Sequence, residues 1–346
     1  MVFGGLKREG LHSLRTSRGW IGALVLAGSA WMPLQGFAQE ARREVPRSEA
    51  QWIQAARTAA LRVNYTGTII YQAGGEMTSS RITHMFDGSK SLERIQTLDG
   101  KPREYLRKRS DSDDEVQCLI PESKKIVVEK RSVEDSFPAL SSASPDEILQ
   151  RYEAKLGPVE RVAGLEAQAL ALEPRDNLRY AYRLWLDRAT GLLLRAQTLN
   201  ERREVIEQIS FSDVRIGERI DRSALKSPWS TDGWSVVRSE YRKADLAKQG
   251  WIVPTPDGFR RTKEVVRRMH SADAMQVVFA DGLATISVFI EPGSAIADPP
   301  DDSVRIHGPT SAFSRRVSEA LVTVIGEVPP GTVRAVAQSV EFRGPR

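Results

Sequence analysis

From Leu178 to Val214, apolar and polar side chains alternate through three consecutive runs. In the first run Tyr180, Tyr182, Leu184 and Leu186 fall on one face, and Arg179, Arg183 and Asp187 on the other. A period of two belongs to a sheet with one buried and one wetter side. Gly191 stands where the turn DRATG needs a left-handed residue, and Asn200 marks the next turn. Leu193 and Leu199, then Val205, Ile209 and Phe211, carry apolar faces through the other two runs. Upstream the same pattern predicts strands over 64–72, 80–87, 91–98, 103–109, 115–120 and 124–130, divided by Gly74-Gly75, Asp87-Gly88, Asp99-Gly100 and Pro121. A meander this long predicts a large curved sheet, and such a sheet needs a cover on its concave side.

The period changes at two places. Ser48 with Gln51 three residues on is a capping box, and Trp52, Ala55, Ala56, Ala59, Ala60 and Val63 then line one helical face. Ser144-Pro145-Asp146-Glu147 opens a second helix with an apolar stripe of Ile148, Leu149, Tyr152 and Leu156, ending at Gly157-Pro158. Residues 217–233 lose all periodicity and gather Pro, Gly and Ser, which marks a linker. Beyond it Asp281-Gly282 lies between two apolar runs, a strong hairpin signal. Further strands are predicted over 251–253, 259–268, 312–317 and 321–327, with a terminal helix from Pro329-Pro330 carrying Val333, Val336, Ala337 and Val340. Pro292 to Pro309 reads as a loop. The expected fold class is α+β, in two domains: residues 48–216 and a smaller unit over 234–346.

The first 38 residues stand apart. Lys7, Arg8, Arg15 and Arg18 precede an apolar run from Trp20 to Met32, and Gly36-Phe37-Ala38 supplies the small residues a signal peptidase reads. Cleavage after Ala38 and export are expected, with 39–47 as a flexible lead-in. The apolar run is shorter than the roughly 20 residues of a membrane span. Removing four basic residues and Glu9 lowers the formal net charge from +5 to +2, which gives no electrostatic footprint for nucleic acid. Cys118 is the single cysteine, so no internal disulfide forms and the fold is held by core burial.

Catalytic signatures are missing. The chain has no G-x-S-x-G elbow, phosphate loop or H-E-x-x-H. The mature histidines His84, His270 and His307 are scattered, and His84 sits mid-strand as a structural residue would. No catalytic residue, metal or cofactor is expected. Two basic clusters remain, Lys101–Arg109 and Arg260–Arg268. Arginine forks fit carboxylates and phosphates alike. Trp251 and Phe259 lie close to the second cluster, so Trp251, Phe259, Arg260, Arg261, Arg267 and Arg268 are the candidate partner-binding residues.

The blocks NYTGTIIYQ, RITHMFDG, LERIQTLDGKPREYLR, YRLWLDRATGLLLRAQTL, GWIVPTPDGFR, VFADGLATISVFIEP and VIGEVPPGTVRAVAQSVEF together resemble the RseB/MucB family of periplasmic regulators of the envelope-stress sigma factor. The resemblance runs in order from Ser48 to the C-terminus. It implies a large N-terminal unclosed antiparallel β-barrel covering helices, similar to the lipoprotein carriers LolA and LolB, plus the smaller C-terminal domain. It also implies a function: binding the periplasmic segment of a single-pass anti-sigma factor and shielding it from the site-1 protease, with lipid or lipopolysaccharide fragments as the release signal and homo-oligomers expected. A lipid or lipoprotein carrier is the alternative. The candidate lipid-pocket residues are the apolar strand positions Ile69, Tyr71, Ile82, Phe86, Tyr182, Leu184, Leu193 and Ile209. The chain departs from the family at Thr255-Pro256-Asp257-Gly258-Phe259, where a proline-richer loop is expected, and at Ser318-Glu319-Ala320, a hairpin turn without glycine.

Overall fold

The computed structural model describes residues 45–110, 113–130, 143–238, 241–269, 272–293 and 303–345. The expected leader, its cleavage point after Ala38, most of the lead-in and His270 lie outside the described residues.

Helix α1 (Glu49–Arg62) starts at the capping box, with Ser48 and Gln51 satisfying each other's backbone N–H groups. It buries Trp52, Ile53, Ala56 and Ala59; Ala60, expected on this face, is exposed, and Ile53 takes its place. Six strands follow: β1 (Tyr65–Ala73), β2 (Glu76–Phe86), β3 (Ser91–Thr97), β4 (Glu104–Arg109), β5 (Asp114–Ile120) and β6 (Lys125–Lys130). Helix α2 (Pro145–Arg151) is capped by Ser144 and Glu147 as the sequence predicts, but it is short. Tyr152 closes it and opens a strand, so Tyr152 and Leu156 are not part of a helical stripe. The reason is a partner: β7 (Tyr152–Val162) pairs along its length with β8 (Leu165–Pro174) through a turn in which Ala163 and Gly164 both have positive φ, 49° and 84°. Two left-handed residues in succession make the tight hairpin that matches strand twist.

The meander β9 (Ala181–Asp187), β10 (Leu193–Leu199) and β11 (Val205–Ile216) comes next, and Gly191 has the left-handed φ expected of it, 78°. After an irregular stretch holding one 3-10 turn, Arg222–Leu225, strand β12 (Ser235–Arg238) returns to the first sheet. Twelve strands thus form one sheet in the order β12-β6-β5-β4-β3-β2-β1-β11-β10-β9-β8-β7. It is not closed: β12 and β7 are its two free edges. It is also not wholly antiparallel, because β12 runs parallel to β6. That strand falls beyond the linker expected at 217–233, so the large sheet reaches past it.

The second sheet has the order β13 (Tyr241–Lys243), β15 (Arg260–Met269), β16 (Ala272–Ala280), β17 (Thr285–Pro292), β20 (Ala320–Gly326), β19 (Thr310–Val317), β18 (Val304–His307). Between β13 and β15 the short β14 (Trp251–Ile252) pairs with β21 (Glu341–Phe342), and helix α3 (Pro330–Ser339) packs its Val333, Val336 and Ala337 onto the sheet. The expected loop from Pro292 to Pro309 contains β18; residues 294–302 lie outside the described residues. The glycine-free turn between β19 and β20 places Ser318 at φ 54°.

Three apolar clusters hold this body together. One belongs to the second sheet and α3; two lie on the first sheet beneath α1 and α2. Leu283, at the tip of the β16–β17 hairpin, is buried among Trp52, Ile148, Tyr152 and Leu184 of the first sheet's core. Residues Arg43–Arg346 form one compact unit.

Candidate functional site

Strand registers show which candidate residues share a face. Tyr71 lies opposite Ile209, Ile209 opposite Ala196, Ala196 opposite Leu184 and Leu184 opposite Leu170. Directly opposed residues project to the same side of a sheet. This row runs from a covered end to an open one. Leu184 and Tyr182 are fully buried under α1 and α2 with Trp52, Ile53 and Ile148, and Ile82 is buried with Tyr65 and Phe211. Leu193 and Ile209 sit half-buried at the rim of one cluster, and Ile69 at the rim of the other. Phe86 lies beneath the Arg62 guanidinium, 5.9 Å from ring to Cζ, and Tyr71 is 38% exposed. The eight lipid-pocket candidates therefore divide. Tyr182, Leu184 and Ile82 are core, Phe86 is half-buried beneath Arg62, and Ile69, Tyr71, Leu193 and Ile209 retain accessible apolar surface.

The partner-binding candidates divide in the same way. Trp251 and Phe259 are buried and belong to the second sheet's core, so they are not exposed anchors. Arg261 is tied to Val253 O at 2.6 Å and to Glu264 at 2.5 Å, and stacks over Phe279. Arg260 and Arg268 project outward from β15, and Arg267 is half-buried opposite Tyr241.

Sequence reasoning missed the joint between the sheets. Arg179, assigned to the wet side of its strand, is buried just before β9, with its side chain fully enclosed. Its Nη1 donates to Asp281 Oδ2 at 2.7 Å, its Nη2 to Asp257 O at 2.9 Å, and its Nε to Asp176 Oδ1 at 3.0 Å. Phe259 lies against the guanidinium, 4.7 Å from Cζ. Asp281 also accepts from the Tyr152 hydroxyl at 3.2 Å and from the backbone N–H groups of Leu283 and Ala284. Asp187, expected beside Arg179 on the wet side, is likewise buried and accepts from Thr190. The signal for Arg179 was available only as the loop TPDGF and the Asp281-Gly282 pair, whose shared partner is distant in sequence.

Buried titratable groups complete the picture. His84 Nδ1 lies 2.8 Å from Val63 O and its ring stacks on Tyr65; burial lowers its pKa. Glu207 is buried and accepts from the hydroxyls of Tyr71 at 2.9 Å and Thr198 at 2.8 Å. Its carboxyl is raised by burial, and burial foremost, with help from the Glu207 charge, also raises the Tyr71 phenol. Among the described residues no group of three or more His, Cys, Asp or Glu could hold a metal ion. Cys118 is half-buried in β5. The arrangement leaves half-covered apolar strand positions on the first sheet and exposed arginines on the second.

The sequence matches the MucB/RseB N-terminal domain over residues 48–229 and the MucB/RseB C-terminal domain over 245–341. It is 29% identical over 309 residues to the sigma factor AlgU regulatory protein MucB of Pseudomonas aeruginosa, covering 86% of this chain and 93% of that protein. It is 26% identical to the sigma-E factor regulatory protein RseB of Haemophilus influenzae over 81% of this chain and 87% of the relative. Among solved structures, the Pseudomonas aeruginosa MucA/MucB complex contains a chain that superposes with a TM-score of 0.67 at 27% identity, covering 85% of this chain and 99% of that one. MucB solved with the MucA periplasmic region gives 0.66 at 27%, over 86% and 100%. By these matches, in order across both of its sheets, the chain belongs to the MucB/RseB family.

Proposed function

We propose that this protein is an exported regulator that binds the periplasmic segment of a single-pass anti-sigma factor and shields it from site-1 proteolysis. The observation that carries the reading is likeness over nearly the whole chain to MucB, a relative solved in complex with the MucA periplasmic region. A sigma-factor regulatory role is also what the Haemophilus influenzae relative is named for. The outward arginines Arg260 and Arg268 suit an acidic peptide, since arginine forks pair with carboxylates. The basic, apolar, small-residue order of the first 38 residues supports a periplasmic location. Among the described residues no helix is long and apolar enough to cross a membrane.

We further propose that a lipid or lipopolysaccharide fragment releases the partner. An acyl chain lying on Ile69, Tyr71, Leu193 and Ile209 would gain about 0.8 kcal/mol for each methylene it buries. A ligand shifts such an equilibrium only by its preference for one state. The test is limited proteolysis of the anti-sigma segment with and without this protein, repeated after adding lipid A. Slower cleavage with the protein, restored by lipid A, is expected. Unchanged cleavage in its presence would end the reading.

The same half-covered apolar strands favour a second reading, a lipid or lipoprotein carrier. It requires transfer of acylated cargo between two membranes, which a regulator need not perform. A transfer assay between donor and acceptor vesicles separates the two, and a self-association measurement by sedimentation addresses the expected homo-oligomer.

A further inference from the structure

A sheet that does not close leaves backbone N–H and C=O groups unpaired along its outermost strands. The two large sheets end in four such strands. Of these β12, β13 and β18 offer four, three and four residues, and β7 offers eleven. Along β7 every residue from Lys155 to Arg161 is exposed. Leu156 and Val159, at 37% and 45% exposure, are large apolar side chains left in water. A long edge of this kind is a template for another strand.

Pairing with β8 settles which way each β7 side chain projects. Leu156 lies opposite Leu170 and Val159 opposite Gln168, and these oppose Leu184 and Leu186 in turn. Leu156 and Val159 therefore share the face that α1 and α2 cover farther in. Lys155 lies opposite Ala171 and Glu160 opposite Ala167, which puts both on the other face. There the Trp185 indole N–H donates to Glu160 Oε2 at 3.0 Å, and Lys155 lies 2.9 Å from Glu153. Residues three apart share a face because the register shifts between Leu156 and Val159, a bulge at Gly157-Pro158.

We propose that β7 pairs with β7 of a second copy of this chain, antiparallel about a two-fold axis, so that two twelve-stranded sheets join edge to edge. Opposed residues must project to one side of the joined sheet. One register that meets this condition sets Leu156 opposite Val159 of the second copy and Lys155 opposite its Glu160. The two-fold axis repeats both, giving two apolar pairs and two ion pairs. Sliding the copies by two residues one way sets Glu153 against Glu160, and the other way sets Leu156 against Arg161. Charge and apolar burial thus select the same register, and the edge is complementary to itself. Pro158 has no N–H to donate, so the ladder breaks at its centre into two runs, each Glu153–Leu156 against Val159–Val162. A seam this short belongs with the smallest stable interfaces, and its exposed ion pairs are screened by salt, so the dimer is weak and salt-sensitive. The inference rests on the self-association expected above and is independent of shielding of the anti-sigma segment.

The experiment is sedimentation equilibrium of the mature protein across a wide concentration range, at low and at high salt. A monomer–dimer equilibrium weakened by salt is expected. Lys155→Glu sets two like-charge pairs across the seam and should weaken it by about tenfold. Adding Glu160→Lys to that variant should restore most of the loss. Register is read separately by cross-linking in a Cys118→Ser background. A mixture of Leu156→Cys and Val159→Cys chains should form a mixed disulfide dimer under diamide, because directly opposed Cα atoms lie about 4.5–5.5 Å apart. Either chain alone should cross-link far less, and this arm decides the matter if a charge variant fails to fold. A protein that stays monomeric throughout overturns the proposal together with the expected oligomer. Self-association that is unmoved by Lys155→Glu and gives no mixed cross-link overturns the β7 seam alone.

Discussion

Asp281 gathers donors from four residues, and two of them, Arg179 and Tyr152, come from the other sheet. Removing one partner of a buried ion pair leaves an uncompensated charge, which costs about 3–5 kcal/mol. Arg179→Met should therefore lower unfolding free energy by about that amount in urea, while Arg268→Met should change it by about 0.5 kcal/mol or less, as exposed sites do. Beside it, Gly282 has φ 103°, and a β-carbon there would stand 2.2 Å from Ala143 Cβ. Gly282→Ala should cost about 1–3 kcal/mol from backbone strain alone, with repacking added, in the same titration. His84 gives a pH signature. Its value is lowered on folding, so its neutral form carries the stability. That contribution is complete above the ordinary histidine value of 6.5 and is lost as pH falls through the folded value. Melting temperature should drop on acidification, and drop less in His84→Gln. None of these partnerships was visible in the chain. A period of two assigns Arg179 and Asp187 to water because it knows only neighbours, while Asp281 lies 102 residues from Arg179.

Elements with local punctuation were legible. Both capping boxes, the Asp281-Gly282 hairpin, the left-handed Gly191 and the proline-opened α3 are written in adjacent residues and recur where expected. Ser48→Ala should cost about 1 kcal/mol by removing one cap, and Trp52→Ala about 3–5 kcal/mol by leaving a void under α1; differential scanning calorimetry distinguishes the two. The β7–β8 hairpin was not legible. Ile148, Leu149, Tyr152 and Leu156 fit a helical stripe, yet Tyr152, Ala154 and Leu156 fit a strand equally well. Pairing with β8 decides between them, and β8 announces itself weakly because alanines fill several of its positions. Likewise Ala163-Gly164 makes a hairpin turn with only one of its two residues of the customary kind. The short β12 carries too few residues to show any period, and its place is fixed by β6, more than a hundred residues earlier.

At the scale of the whole molecule, the sequence suggested two units in series, and side chains of the second sheet enter the packing of the first. Leu283 of the second sheet is buried in the first sheet's core, and Phe259 holds the guanidinium that serves both. Denaturation followed by tryptophan fluorescence and by far-ultraviolet circular dichroism should give coincident transitions, as a single cooperative unit does; two separated midpoints would contradict this. The candidate site was half legible. The apolar face of the meander was readable, but which of its members remain accessible depends on where α1 and α2 lie, and that is a tertiary matter.

The last rung of the first sheet, β12, ends at Arg238, and the first rung of the second, β13, begins at Tyr241. Three Cα steps reach about 10 Å at full stretch. The two sheets are thus leashed at their margins. Should the C-terminal half ever swing farther than that tether allows, it must strip either β12 from β6, a ladder of four paired positions, or β13 from β15, a ladder of three. A peptide or a neighbouring chain would then find β6 or β15 bare, so large-scale opening of this molecule carries with it the unmasking of a new sheet edge.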